Sequence, residues 1–204
     1  MGGPALVVID TASHARHTAE TVLDQAADLL SNLESRYSRY RPGSLVSQIN
    51  ERSGSGVYTD LDTEAGALFE LAGQLWKESD GLFDITSGPL RYAWDFQLAG
   101  KASPSKIEQV LDLVGFASIE WREKSCHLPK AGMEVDLGGI AKEYAVDRTI
   151  ELLRNAGVTS GLVELAGDVA VIGAQGDETP WSIGIQDPST PDALCSVSLV
   201  NAAL

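Results

Sequence analysis

The segment Met133-Glu134-Val135-Asp136-Leu137-Gly138-Gly139-Ile140-Ala141-Lys142 joins a strand pattern to a helix pattern through a carboxylate and two glycines. Glycines at such a junction remove side chains where the backbone turns, so a ligand can approach the N–H groups of the first helical turn. Those donors and the helix dipole favour an anion such as a phosphate. Asp136, at the strand end, is placed to bond a polar edge of a ligand or to orient a hydrated cation. Lys142, about one turn into the helix, is placed to reach a phosphate. The same residues equally suit a plain strand-to-helix turn capped by Asp136.

Two further segments carry chemistry. Asp80-Gly81-Leu82-Phe83-Asp84-Ile85-Thr86-Ser87-Gly88-Pro89-Leu90 holds acids, hydroxyls and a Gly-Pro turn pair. It can present backbone amides and Asp84 to a ring system, or serve as a helix C-cap followed by a strand start. Ser35-Arg36-Tyr37-Ser38-Arg39-Tyr40-Arg41-Pro42-Gly43-Ser44 gathers three arginines, with Ile49-Asn50 beyond. Tyr40 can stack on a planar ligand and a neighbouring arginine can meet a phosphate. The alternative is a solvated helix end whose basic residues suit its C-terminus. Other templates are missing: there is no G-x-S-x-G, Walker A or H-E-x-x-H pattern, and His14, His17 and His127 have no partners at triad or metal spacing. Cys126 and Cys195 match no metal motif and read as free thiols.

The elements that must position these residues follow from periodicity. Leu6 to Ile9 predicts a buried strand. A helix follows, capped at Thr18, with Val22, Ala26, Leu29, Leu30, Leu33 and Tyr37 on one face. Ser53-Gly54-Ser55-Gly56 reads as a loop without packing content. Leu68, Leu71, Ala72 and Leu75 mark a second helix closed by Asp80-Gly81, and Ser103-Pro104-Ser105 opens a third. Ser118–Trp121 and Ser125–Leu128 predict a hairpin. A fourth helix begins near Gly139, with Gly157 as its C-cap. Leu162–Leu165 and Val169–Ile172 flank Ala166-Gly167-Asp168 as a second hairpin, and Trp181–Ile185 and Cys195–Val200 alternate as further strands. Hairpins mixed with helices predict an α+β fold, with a mixed, mainly antiparallel sheet and packed helices.

Size and charge limit the partners. The 204 residues suit one domain or two small lobes. The net charge of −14 repels phosphate backbones and anionic lipid, which argues against nucleic acid as a partner. A phosphate site must therefore be local. No apolar run is long enough for a transmembrane segment. The start at Met1 reads as a strand approach and not as a signal peptide.

Taken in order, these segments resemble the ApbE-type FAD:protein FMN transferases. Met1-Gly2-Gly3 is similar to the family's opening Met-Gly-Thr. Ser38-Arg39-Tyr40-Arg41-Pro42-Gly43-Ser44 with Asn50 is similar to its S-x-Y-x-P-x-S…N segment, and Gly81–Thr86 with Gly88-Pro89-Leu90 to its G-x-F-D-x-T-x-G-P-L segment. Asp136–Lys142 with Tyr144-Ala145-Val146-Asp147 resembles the signature D-L-G-G-I-A-K-G-Y-A-V-D, and Gly184–Pro188 resembles the late G-I-x-D-P element. The resemblance implies an ApbE-like, T-fold-related α+β domain that uses Mg²⁺ to break the pyrophosphate of FAD. AMP is released, and FMN is attached to a Thr hydroxyl of a target flavoprotein. It implies that Met1, Tyr40, Leu82, Phe83, Asp84, Asp136 and Lys142 contact FAD, and that the carbonyl of Gly139 is one Mg²⁺ ligand.

Three departures shape the expectation. Glu143 stands where the family has Gly. Glu164-Leu165-Ala166-Gly167-Asp168 stands where it has N-L-G-G-D or N-L-G-G-N. The chain reaches Leu204 before the family's A-T-S-G segment, its later His, and the Asp and Thr that complete the metal site. The expectation is a single flavin transferase domain over residues 1–204, incomplete at its C-terminus and weak or inactive alone. The alternatives are a non-catalytic FAD-binding module and a structural or partner-binding domain. The family resemblance implies a periplasmic or membrane-anchored location, and a chain without a leader implies a cytoplasmic one.

Overall fold

The computed structural model describes residues 3–11, 16–94 and 104–204. Five α-helices and eight strands occur among them: β1 (Ala5–Ile9), α1 (Arg16–Tyr37), α2 (Leu45–Glu51), β2 (Thr59–Asp60), α3 (Thr63–Glu78), α4 (Pro104–Leu111), β3 (Glu120–Arg122), β4 (Ser125–His127), α5 (Ala141–Asn155), β5 (Gly161–Leu165), β6 (Asp168–Ile172), β7 (Trp181–Gln186) and β8 (Ala193–Leu199). All pairings between these strands are antiparallel, as the hairpin-rich pattern predicts. The chain forms two compact units, one of Met1–Glu34 with Ala141–Leu204 and one of Ser35–Ile140. No described helix is long and apolar enough to cross a membrane.

In the first unit a sheet of order β1-β5-β6 is built on β5 and β6, each buried along almost its whole length. Residues 202–204 extend it at β6, where the Val169 and Leu204 backbones exchange two bonds of 2.8 Å. Leu162, Val169, Val171 and Leu199 form a core against which Trp181, Ile183 and Val197 of the β7–β8 pair pack. β1 is the edge strand and Leu6 is exposed, so the expectation of a buried first strand is corrected: apolar runs can also lie on an edge. Ala19, Val22, Ala26, Leu33 and Tyr37 form the buried stripe of α1. This helix starts at Arg16, two residues before the expected cap at Thr18. α5 starts at Ala141, two residues after the expected Gly139. It closes on the predicted Gly157 (φ 83°) in a Schellman arrangement: Gly157 N–H donates to Arg154 O and Val158 N–H to Leu153 O.

The β5–β6 turn consists of Ala166 (φ 52°) and Gly167 (φ 101°), the two left-handed positions of a type I′ hairpin. Alanine is strained there. Replacing Ala166→Gly is expected to raise stability by about 1 kcal/mol, read as a higher urea midpoint at unchanged m-value.

In the second unit, α3 buries Ala65, Leu68, Phe69 and Ala72, an i, i+3, i+4, i+7 face. Asp62 caps it, accepting from Ala65 N–H at 2.9 Å. The Arg36 guanidinium, with that N–H, holds the Asp62 carboxyl below the usual carboxylate range. A three-stranded sheet of order β2-β4-β3 contains the predicted hairpin. The Ser53–Gly56 loop does pack, which corrects the expectation for it. Gly54 N–H donates to Leu128 O (2.8 Å), Ser53 Oγ accepts from Gly132 N–H (3.3 Å), and Gly56 N–H donates to Nε2 of buried His127 (3.0 Å). A Cβ on Gly54 would fall 2.6 Å from the Ala131 nitrogen, a contact that only glycine avoids. Ser103 and His14 lie outside the described residues.

Candidate functional site

In the second unit the three sequence segments converge. α3 ends in a Schellman arrangement with Asp80 (φ 52°) in the left-handed position. Asp80 N–H donates to Lys77 O and Gly81 N–H to Trp76 O, as the Asp80-Gly81 pair predicts. The chain is then turned back: Phe83 N–H donates to Ser79 Oγ at 2.8 Å. Leu82, at the tip, is 93% exposed. Asp84 is committed within the fold. Its Oδ1 accepts from Thr86 N–H (2.7 Å) and Thr86 O–H (2.6 Å), and its Oδ2 accepts from Phe116 N–H (2.8 Å). Thr86 Oγ in turn accepts from Gly115 N–H at 2.7 Å.

Residues 134–136 run beside 85–87. Ser87 and Glu134 form a parallel bridge, and Asp136 N–H donates to Ile85 O at 2.7 Å. Asp136 then does two things. Its Oδ1 accepts from Gly138 N–H (2.9 Å), an Asx turn, and its Oδ2 pairs with Arg39 Nη1 (3.0 Å). The Asx turn agrees with the plain-turn alternative, and the ion pair adds a partner 97 residues away. A Cβ on Gly139 would fall 3.0 Å from the Phe83 ring, so the glycine lets that ring lie against the turn.

Arg39 Nη2 donates to the Tyr40 hydroxyl at 2.8 Å, and its guanidinium lies 4.8 Å from the Tyr40 ring centre, a cation–π contact. The Tyr40 ring itself is 79% exposed. A cavity of about 200 Å³ lies among Arg39, Tyr40, Asn50, Glu51, Arg91 and Glu134. Glu134 is held there by a forked pair with Arg91 and by the Tyr92 hydroxyl at 2.9 Å. A larger apolar cavity of about 640 Å³, between α3 and the β3–β4 hairpin, is lined by Phe69, Phe116 and Trp121 and by none of the predicted site residues.

Lys142 belongs to the first unit, in the first turn of α5. Its Nζ bonds Asp168 Oδ2 at 2.6 Å, and this contact holds its pKa above the usual lysine value. Asp168 is the first residue of β6, directly after the Ala166-Gly167 turn. Met1 lies outside the described residues. Of the predicted residues, Tyr40, Leu82, Phe83, Asp84, Asp136 and Gly139 belong to the second unit, and Lys142 to the first.

Sequence reasoning missed the partners: Thr86 for Asp84, Arg39 for Asp136, Asp168 for Lys142, and Asn50, whose side-chain amide bonds both the N–H and the carbonyl of Val135. For Thr86 a signal existed, since Asp-x-Thr is an Asx/ST-turn pattern. The long-range partners leave none, because nothing local in a chain marks an ion pair with a distant segment. Among the described residues no group of three or more His, Cys, Asp or Glu could hold a metal ion.

The model of the ApbE family matches residues 1–204. Proteins named FAD:protein FMN transferase are similar: that of Treponema pallidum is 28% identical over 183 residues, covering 81% of this chain and 50% of that protein. That of Klebsiella pneumoniae is 30% identical over 192 residues, covering 92% and 57%. The chain spans about half the length of the curated relatives it matches. Among solved structures, an ApbE protein of Thermotoga maritima superposes with a TM-score of 0.84 at 26% identity, covering 99% of this chain and 66% of that one. The flavin transferase ApbE of Vibrio cholerae superposes with a TM-score of 0.84 at 22% identity, covering 100% and 67%, a likeness of fold.

Proposed function

This chain belongs to the ApbE family, and from that premise we propose that it binds FAD and takes part in moving the FMN half of FAD to a protein. The similar curated proteins are named for that transfer. In our reading the acceptor is a threonine hydroxyl of a target flavoprotein. Its oxygen bonds to the FMN-side phosphorus, the pyrophosphate P–O bond breaks, AMP leaves with the electron pair, and the hydroxyl proton is released.

The observation that carries the reading is the convergence in the second unit: an exposed Tyr40 ring bearing the Arg39 guanidinium, with that guanidinium paired to Asp136 beside the Gly138-Gly139 turn. Such a group offers a stacking face, a cation and a carboxylate to a nucleotide. Phe83 and Leu82 add apolar surface. Asp84 serves the flavin by holding this loop through Thr86 and Phe116. Lys142, kept charged by Asp168, suits a phosphate.

Magnesium would polarise the phosphoryl oxygens in such a reaction. Mg²⁺ takes a near-octahedral set of oxygens. The Gly139 carbonyl and the Asp136 carboxylate, the latter also bonded to Arg39 and Gly138, are two donor groups at most. The described residues therefore do not make up that set.

The test is an FAD titration followed by flavin fluorescence, then mass spectrometry of a threonine-bearing acceptor peptide incubated with FAD and Mg²⁺. Saturable quenching is the expected result, and FMN found covalently on threonine extends the reading to catalysis. Quenching with no transfer at any Mg²⁺ concentration limits the function to flavin binding. Fluorescence unchanged at every protein concentration overturns the reading.

A further inference from the structure

We propose that α2 is a bracket that sets the Arg39–Tyr40 segment against the Asp136 turn, with Ser47 and Asn50 as its positioning residues; their effect on FAD rests on the function proposed above. Ser47 and Asn50 stand three apart, the spacing that puts two side chains on one helix face. Ser47 Oγ lies 2.9 Å from Arg41 O and 3.2 Å from Arg39 O, so its single proton is shared between carbonyls on both sides of Tyr40, with Arg41 O the nearer acceptor. Asn50 meets Val135 twice. Its Nδ2 donates to Val135 O at 3.0 Å, and its Oδ1 accepts from Val135 N–H at 2.7 Å. A side-chain amide carries the same donor and acceptor as a peptide group, so Asn50 acts on Val135 as an adjacent strand would.

Val135 is fully buried and directly precedes Asp136. The Arg39–Asp136 ion pair then joins the two segments that α2 holds. The helix does not require the Asn50 side chain for its own ends. Ser44 caps it, accepting from Ser47 N–H at 2.9 Å and donating to Ser38 O at 2.7 Å. Asparagine competes with helical backbone bonding and is a poor helix residue. Its place in a seven-residue helix is accounted for by the Val135 bonds.

The test compares the full chain with Ser47→Ala, Asn50→Ala and Asn50→Asp. Leu68→Val on α3 is the control, a buried change that lowers stability away from these bonds. FAD affinity is measured where circular dichroism shows every variant folded. Ser47→Ala and Asn50→Ala are expected to bind FAD about tenfold more weakly, as for a displaced binding group, while Leu68→Val binds normally. Asn50→Asp adds a signature. An ionised carboxylate repels the Val135 carbonyl, whereas a protonated one donates to it and restores both bonds. Its affinity relative to wild type therefore rises as pH falls through the carboxylate range, and that of Asn50→Ala stays flat.

Amide exchange at residues 135–139 reads the bracket without FAD. Protection there is expected to fall in Asn50→Ala and to hold in Leu68→Val. Unchanged protection overturns the bracket whatever FAD does. Lost protection with wild-type FAD affinity in the variants overturns the positioning role. A wild-type chain that fails to bind FAD refutes the proposed function and leaves the bracket judged by exchange.

Discussion

Asp84→Ala is expected to lower the unfolding free energy by about 3–5 kcal/mol, a large part of the roughly 5–15 kcal/mol available to a domain. Three donors lose their acceptor at once: the N–H and O–H of Thr86 and the N–H of Phe116. Thr86 is fully buried, so water cannot replace the carboxylate there without opening the loop. Gly115 N–H would still reach Thr86 Oγ, but the hydroxyl proton would have no acceptor. Asp84→Asn should fall between, at about 2 kcal/mol, because Oδ1 is kept while an NH₂ group faces Phe116 N–H. Urea unfolding of the three proteins checks this. An Asp84→Ala chain within about 0.5 kcal/mol of wild type would mean that the loop is held by packing and that these bonds are dispensable.

Asp136 separates two roles that the sequence leaves joined. Asp136→Asn keeps the Oδ1 acceptor for Gly138 N–H and removes the charge opposite Arg39, whose side chain is only 12% exposed. Asp136→Ala removes both. An unpaired, mostly buried guanidinium is costly, but the carboxylate is a third exposed, so the lost pair is worth less than a fully buried one. We expect losses of about 1 kcal/mol for the Asn variant and about 2 kcal/mol for the Ala variant. FAD affinity is expected to fall about tenfold or more in both, because Arg39 loses its anchor and the ligand loses the charge. Flavin fluorescence titration with urea unfolding separates the roles. Normal FAD affinity in both variants, with stability alone reduced, would make Asp136 a turn-forming residue and no part of a nucleotide site.

The chain by itself determined the local architecture and the identity of the candidate residues. The periodicity of Val22 to Tyr37 marks α1 and that of Leu68 to Leu75 marks α3, although Leu71 is exposed and Ala65 and Phe69 complete the buried face of α3. Gly157 and Asp80-Gly81 end helices because left-handed or side-chain-free positions are needed there. The antiparallel hairpins follow from short apolar runs set on either side of turn residues. All of these are interactions between neighbouring stretches of chain, the widest pair being Trp181 with Leu199 in the β7–β8 hairpin, and spacing encodes them directly. The tertiary structure alone decided what each candidate residue faces. Asp84 is turned onto Thr86 and Phe116, Asp136 meets Arg39, Lys142 meets Asp168, and Asn50 finds the Val135 backbone 85 residues away. A hydrogen bond has direction and short reach, so its partner exists only once the backbone has brought both groups within about 3 Å. The same reason explains the Ser53–Gly56 loop. Its composition looks like that of any surface turn, and its bonds to Leu128, Gly132 and His127 appear only when distant chain is packed against it.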